Sequence, residues 1–297
     1  MELKMTSQKN CPLCQSSKCS AYFEAKDYFF SGKPFGIHKC NDCGFLFTNP
    51  RPVDDALQDY YKSEKYLSHT DSNDSIFSVL YRSVKQYTLR KKLNIIKRFV
   101  RSGSLLDIGC GTGDFIALAK EKHWVVRGVE QNENARMLAQ KKNLEILSSV
   151  DQLDPLNERY DVITLWHVLE HLPDLHSTMK IISWKIKEDG TLLIALPNHN
   201  SWDAGHYEKY WAAYDLPRHL YHFNRKTIAT LLSSYGFELK STFPMIFDAF
   251  YVSILSEQYR GNKLAFPIGA LKGLWSNSQA WKNKEYSSLI FVFKRNS

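Results

Sequence analysis

From Ser104 onward, short β-branched and aliphatic runs at 104–108, 125–129, 144–147, 162–166 and 191–196 alternate with segments of helical periodicity at 114–123, 132–142 and 175–187. A strand that feeds a helix and then a second strand can bury both apolar faces by laying the helix across the sheet. The alternation therefore predicts a parallel sheet with helices on both faces. A helix at 225–235 stopped by Gly236, a strand at 237–243 and a last strand from Ser288 to Phe293 bring the count to seven strands. Two insertions interrupt this domain of 101–297, one at 199–223 and one at 244–285. Ahead of it lie a small unit at 1–48 and a helical connector or cap at 49–100. Asn49-Pro50-Arg51-Pro52 separates the two, because two prolines in three residues resist helix and ladder alike. Helices are expected at 53–66 and 75–101. In the second, Ile76, Leu80, Val84 and Tyr87, then Leu89, Leu93, Ile96 and Val100, recur at helical spacing.

Leu105-Leu106-Asp107-Ile108-Gly109-Cys110-Gly111-Thr112-Gly113-Asp114 is a buried strand that breaks into a glycine turn and opens a helix. Glycines permit positive φ and close approach of a ligand, and the helix start offers free N–H groups. That suits a nucleoside cofactor at the carboxyl edge of an open α/β sheet. The turn alone does not separate a dinucleotide from other cofactors. Two carboxylates do: Asp107 within the strand's end, and Glu130 closing the second strand, placed to accept ribose hydroxyls.

On these residues the sequence resembles class I S-adenosylmethionine-dependent methyltransferases, whose first motif Leu106 to Gly113 matches closely. The segment Tyr160 to Pro173, and Asp189-Gly190 before the fifth strand, extend the resemblance over 101–243. It implies a Rossmann-like α/β fold and S-adenosylmethionine as cofactor. By the same resemblance Gly109, Cys110 and Gly111 line the methionine part, Asp107 steers its amino group, Glu130 holds the ribose and Gln131 lies beside the adenine. Many relatives carry an acidic residue against the adenine amino group after the third strand. This chain has Ser148-Ser149-Val150-Asp151 there, leaving Ser149, Asp151 or backbone groups for that contact. Trp166 and His167 follow the fourth strand and face the same crevice. The thiol of Cys110 reads as a packed small group and not as a nucleophile.

Cys11-Pro12-Leu13-Cys14 and Cys40-Asn41-Asp42-Cys43 form two C-x2-C knuckles separated by twenty-five residues. Each knuckle can deliver two thiolates to one tetrahedral ion, so the pair predicts a zinc ribbon. With all four positions filled by cysteine, the zinc is expected to be structural. Cys19 and His38 do not fit the paired spacing. The aromatic spacer suggests that the module braces or caps the catalytic domain.

Seven of the ten histidines follow residue 166, where such folds bind substrate. His167 is the first candidate for a general base or a substrate-orienting group, with a packing role as its alternative. His167, Glu170, His171 and His176 also permit a metal reading; related acid-and-histidine clusters occur in some small-molecule and RNA-end methyltransferases, although His167 replaces the leading acid here. In the first insertion, Arg218 is placed to clamp a phosphate or carboxylate and His219 to take a proton. Trp202, Tyr207 and Trp211 form either an acceptor wall or core. The apolar second insertion reads as a helical lid in preference to a partner surface or a membrane-surface patch near Lys263 and Lys272.

With no apolar run long enough to span a bilayer and no signal-like start, the expected location is the cytoplasm. A formal charge of +8 and eight Lys or Arg between Arg82 and Arg101 admit an anionic partner. The expected reaction is methyl transfer to a small acceptor, such as an anionic sugar, glycan precursor or secondary metabolite. RNA methylation through the ribbon and basic helix is the alternative, and a non-catalytic cofactor-sensing adaptor is a third reading. Oligomeric state is not legible.

Overall fold

The computed structural model describes residues 4–57, 60, 76–153 and 157–296. Of the helix expected over 53–66, all but 53–57 and Tyr60 lies outside these residues, as do the side chains of Ile76 and Leu80. The N-terminal unit contains β1 (Met5–Thr6), β2 (Cys19–Lys26), β3 (Pro34–Cys40), β4 (Leu46–Thr48), β5 (Arg51–Pro52) and the short α1 (Asp54–Leu57). Helix α2 (Ile76–Lys97) leads to β6 (Ser104–Ile108), α3 (Asp114–Glu121), β7 (Val125–Val129), α4 (Glu133–Gln140), β8 (Ile146–Leu147), β9 (Tyr160–Trp166), α5 (Leu175–Lys185) and β10 (Ile186–Pro197). There follow α6 (Trp202–Tyr207), β11 (Tyr221–His222), α7 (Arg225–Ser233), β12 (Phe237–Pro244), α8 (Asp248–Tyr259), α9 (Ala265–Asn283) and β13 (Ser288–Arg295).

Seven strands form one sheet in the order β12-β13-β10-β9-β6-β7-β8, a Rossmann-like arrangement. One strand departs from the parallel sheet that the alternation predicted: β13 is antiparallel to both β10 and β12. The reason lies in the connection. The segment between β12 and β13 is a helical hairpin, α8 and α9, that leaves and re-enters at one edge of the sheet, so the chain turns straight back instead of crossing over. The second insertion is thereby fixed at the carboxyl ends of the parallel strands.

At the opposite edge a single carboxylate ties three strands. Asp161 accepts from the Ser104 amide (2.7 Å) and hydroxyl (2.8 Å) and from Lys187 Nζ (2.8 and 2.9 Å). These hydrogen bonds, Lys187 above all, outweigh the cost of burial and hold its carboxyl below the usual range.

The N-terminal unit does not stand apart. Its sheet has the order β11-β4-β3-β2, so the first insertion supplies an edge strand, with Tyr221 opposite Phe47 and His222 opposite Leu46. Phe45, Phe47, Cys11 and Cys40 join Leu192, Phe291 and Phe223 in one apolar core. Tyr207 and Trp211 are buried with Phe35, Ile37 and Leu46, and Trp211 Nε1 donates to Asp203 (2.8 Å). These two aromatics are core, not acceptor wall. Trp202 stacks on His206 with ring centroids 4.6 Å apart.

Helix α9 is built inside out. Its inward face is Ala265, Gly269, Gly273, Ser276 and Ala280. A Cβ on Gly269 would lie 2.4 Å from Ile254 Cα, and one on Gly273 2.7 Å from Phe250 Cα. The obstacle in both cases is the backbone of α8, which cannot swing aside as a side chain would. Gly269→Ala is therefore expected to lower stability by about 1–3 kcal/mol, the usual cost of overpacking. Urea unfolding followed by circular dichroism checks this; a midpoint equal to the parent's would contradict the close packing.

Candidate functional site

The glycine turn after β6 is shaped by what surrounds it. Gly109 has φ +71°, and a Cβ there would sit 2.3 Å from Val168 Cγ2. Gly111 has φ +55° but faces open space, with nothing within 4 Å of a Cβ position. The turn thus approaches the β9 loop closely on one side and leaves a gap on the other. Gly109 and Cys110 amides both donate to Val129 O (2.7 and 3.0 Å), which docks the turn against the end of β7. The Cys110 thiol is buried beside Gly128, and burial pushes its pKa upward, as expected of an inert packed group.

Glu130 follows directly on β7. Its carboxylate accepts from the Gly111 amide (2.8 Å) and the Asn132 amide (2.8 Å). It is half-buried, so it is held in one orientation without being sealed from a ligand. Gln131 is exposed, its carbonyl accepting from Arg136. Ser149 is half-buried in the loop after β8. Asp107 is almost wholly buried and accepts from Thr164 Oγ1 (2.5 Å). Burial drives its carboxyl up to about 7, against the Thr164 bond and the Lys92 charge, with Glu130 adding to the rise.

Lys92 is one of the eight basic residues expected to admit an anionic partner. The structure turns it inward: its Nζ lies 4.4 Å from the centre of the Trp166 ring, and its charge reaches Asp107 and Asp248. Lys85 pairs with Asp114 (2.7 Å), Lys91 donates to Pro244 O (3.1 Å), and Arg98 stacks on Phe243 (5.0 Å). Half of the eight basic residues between Arg82 and Arg101 are thus committed to internal contacts. Periodicity could not reveal this, since it gives the angle between residues but not which side meets the sheet.

His167 adopts a left-handed backbone, φ +57°, uncommon for a residue with a side chain. Its Nδ1 lies 3.5 Å from Glu170 Oε1 and its Nε2 3.1 Å from Asp248 Oδ2, at the start of α8. Burial works against the imidazolium, but the two carboxylates prevail and push its pKa up to about 9. Sequence reasoning missed Asp248 altogether.

Behind it sits a second group. Ligating atoms of Glu170, His171 and His219 lie within 4.8 Å of one another. Glu170 is 1% exposed and neither carboxylate oxygen has a hydrogen bond. His219 Nδ1 faces Ala213 O (2.8 Å), and His171 Nδ1 faces Arg218 O (3.1 Å), so each ring donates there and turns its Nε2 lone pair elsewhere. Burial lowers the pKa of both rings, most strongly for His219, where neighbouring His171 and His222 add to the effect. His176 is not part of this cluster. It bonds Tyr235 OH (2.5 Å) and Pro12 O (2.7 Å), bracing the first cysteine knuckle on α5. Arg218 reaches Asp215 Oδ1 (2.5 Å) and packs on the Phe29 ring (3.8 Å), so its guanidinium is engaged within the protein.

The four knuckle thiols converge, with Sγ atoms of Cys11 and Cys43 3.7 Å apart and those of Cys14 and Cys40 3.6 Å apart. A disulfide would bring sulfurs to about 2 Å. Around a tetrahedral zinc with bonds of about 2.3 Å the sulfur–sulfur edge is about 3.8 Å, which this cluster matches. Cys19 is not among the four; its thiol turns to Ser16 O.

A methyltransferase-domain family model matches residues 81–242, more than half of the chain. The chain belongs to that family. Among relatives of this methyltransferase-domain protein, the ubiquinone biosynthesis O-methyltransferase of Hydrogenovibrio crunogenus is 26% identical over 119 residues, covering 37% of this chain and 49% of that one. The same-named protein of Coxiella burnetii is 33% identical over 104 residues, covering 32% and 44%. The chain thus spans about half the length of the curated relatives it matches. Among solved structures, the magnesium protoporphyrin IX methyltransferase of Synechocystis, with bound SAH, superposes with a TM-score of 0.54 at 15% identity, covering 82% of this chain and all of that one. The phosphoethanolamine N-methyltransferase 2 of Haemonchus contortus, in complex with S-adenosyl-L-methionine, gives 0.51 at 16%, covering 93% and 71%. At such identities the likeness is one of fold.

The clearest electrostatic feature of this methyltransferase-domain site is the raised His167. Its pairing with carboxylates stabilises the folded protein fully below the ordinary imidazole pKa of about 6.5 and loses that contribution as pH rises through about 9. Asp248→Asn should move the His167 titration downward, as read from the ring proton shifts by NMR. A titration that does not move in this variant would exclude the ion pair.

Proposed function

We propose that this protein transfers a methyl group from S-adenosylmethionine to a small-molecule acceptor. The observation that carries the reading is the Glu130 carboxylate, anchored by two amides beside the open left-handed turn at Gly109 to Gly111. That pairing of a fixed acceptor with exposed backbone suits a ribose diol and the methionine end of one cofactor. Gln131 and Ser149 would border the adenine. Asp107 and Trp166 would bound the methionine side, with Lys92 holding Trp166 in place. When bound, the sulfonium supplies an already activated methyl group, so alignment provides much of the rate.

On the acceptor side, the proton balance follows from the histidines. An imidazolium at His167 orients by charge and does not accept a proton at neutral pH. His219, kept neutral by burial, has an Nε2 lone pair that would take the acceptor's proton, with the Asp215 carboxylate 3.7 Å away to offset the charge that burial disfavours. Arg218 holds Asp215, whose other oxygen lies 3.7 Å from His219 Nε2, so it acts as a positioning residue. The engagement of four helix cations by other groups of the protein favours a small acceptor over RNA, as does the ubiquinone biosynthesis for which the relatives are named. Cys11, Cys14, Cys40 and Cys43 would hold a structural zinc.

Calorimetry with S-adenosylhomocysteine tests the cofactor reading. Glu130→Gln should weaken binding by about 1–3 kcal/mol, the usual range for a hydrogen bond to a charged group. An unchanged affinity would remove Glu130 from the ribose.

Elemental analysis should find one zinc per chain, lost in Cys40→Ser while the seven-stranded sheet keeps its circular dichroism. Metal retained in that variant would overturn the assignment.

A further inference from the structure

The inside-out build of α9 leaves its large apolar residues facing outward. Leu264, just before the helix, is 62% exposed, and along the helix Leu271 is 67%, Leu274 59%, Trp275 54% and Trp281 78% exposed. At about 100° per residue these positions, with Pro267 between them, fall on one stripe opposite the small residues that grip α8. A helix at a water-facing surface normally shows the reverse. The stripe is also long: from Leu264 to Trp281 it runs the whole helix.

Charge indicates what covers it. Between Arg260 and Lys284 there are five cations, Arg260, Lys263, Lys272, Lys282 and Lys284, and no carboxylate. Lys263, Lys282 and Lys284 are exposed at the two ends of the stripe. Two copies joined through this face would bring like charges together with no acid between Arg260 and Lys284 to offset them. An anionic lipid surface meets both needs: headgroups for the lysines, and the upper acyl region for leucines and indoles, the side chains that settle at a bilayer boundary. Among the described residues no helix is long and apolar enough to cross a membrane, so α9 would lie in the plane of the surface.

We propose that the outer face of α9 docks this protein on anionic lipid bilayers. The inference does not depend on the chemistry proposed above. It does bear on access: α9 packs on α8, and α8 begins at Asp248, which touches His167. The docking face and the site are therefore carried by one hairpin.

Sedimentation of the full chain with phosphatidylcholine vesicles, with and without phosphatidylglycerol, tests this. Binding is expected to the anionic vesicles and to be much weaker without phosphatidylglycerol, with a blue shift of tryptophan emission. Replacing Lys263, Lys282 and Lys284 together by Gln should weaken partition about a hundredfold, at about 1 kcal/mol per cation. Leu271→Ser with Leu274→Ser should abolish the emission shift. All five positions are exposed, so the fold is preserved, and circular dichroism verifies it. Failure of the parent chain to bind anionic vesicles overturns the proposal. So does equal binding to both compositions that ignores the lysines. A dimer in analytical ultracentrifugation, dissolved by the double serine variant in a chain that does not bind vesicles, would make the face a self-interface instead.

Discussion

Everything at the carboxyl edge of the sheet depends on how β6, β9 and β10 are aligned, and Asp161 sets that alignment from the other end. Its carboxylate joins the first residue of β6 to Lys187 in β10 while sitting in β9 itself. A slip of one residue between β6 and β9 would turn Asp107 away from Thr164 and exchange the faces of every side chain beyond. With the register fixed, Gly109 meets Val168 and the turn can go nowhere but toward Glu130. Several charged hydrogen bonds at about 1.5–3 kcal/mol each make such a slip costly.

Much of this was legible in the sequence, for identifiable reasons. The strand-helix alternation and the turn from Asp107 to Gly113 are local patterns, and local patterns survive without knowledge of the partners. The two cysteine knuckles needed only their spacing. What escaped was non-local. Asp248 reaches His167 from far along the chain, across an insertion whose sequence says apolar and no more. Lys92 looks like any lysine in a basic helix until the sheet chooses a side. Tyr221 and His222 are too short a run to announce a strand, yet they complete the sheet of the N-terminal unit. The apolar spacing of α9 was visible, but the glycines that decide which face goes inward act through absence of volume, which no hydrophobicity pattern records.

The histidines show how burial alone does not fix a charge state. His167 is half-buried and His219 buried, and they end on opposite sides of neutrality. His167 has a carboxylate on each nitrogen. His219 has a carbonyl on one nitrogen and, within reach of the other, imidazoles as well as carboxylates. Desolvation is therefore outvoted in one ring and reinforced in the other. Such a split, on either side of Glu170, would let one site hold a fixed positive charge and a neutral imidazole at the same pH.

The edge strand β11 joins two parts of the chain in one free-energy balance. The loop that carries Arg218 and His219 ends in a strand hydrogen-bonded to β4, and Thr48 Oγ1 donates to His219 O (2.6 Å). An ion that fixed the four thiolates would stiffen β3 and β4, and a stiff β4 would hold that loop. Were an ion held there, the relation would be reciprocal: a molecule that seated against His219 and immobilised the loop would raise the cluster's affinity for the ion by the same factor. The small N-terminal unit would then be less a handle than a remote control on the order of the Arg218–His219 loop.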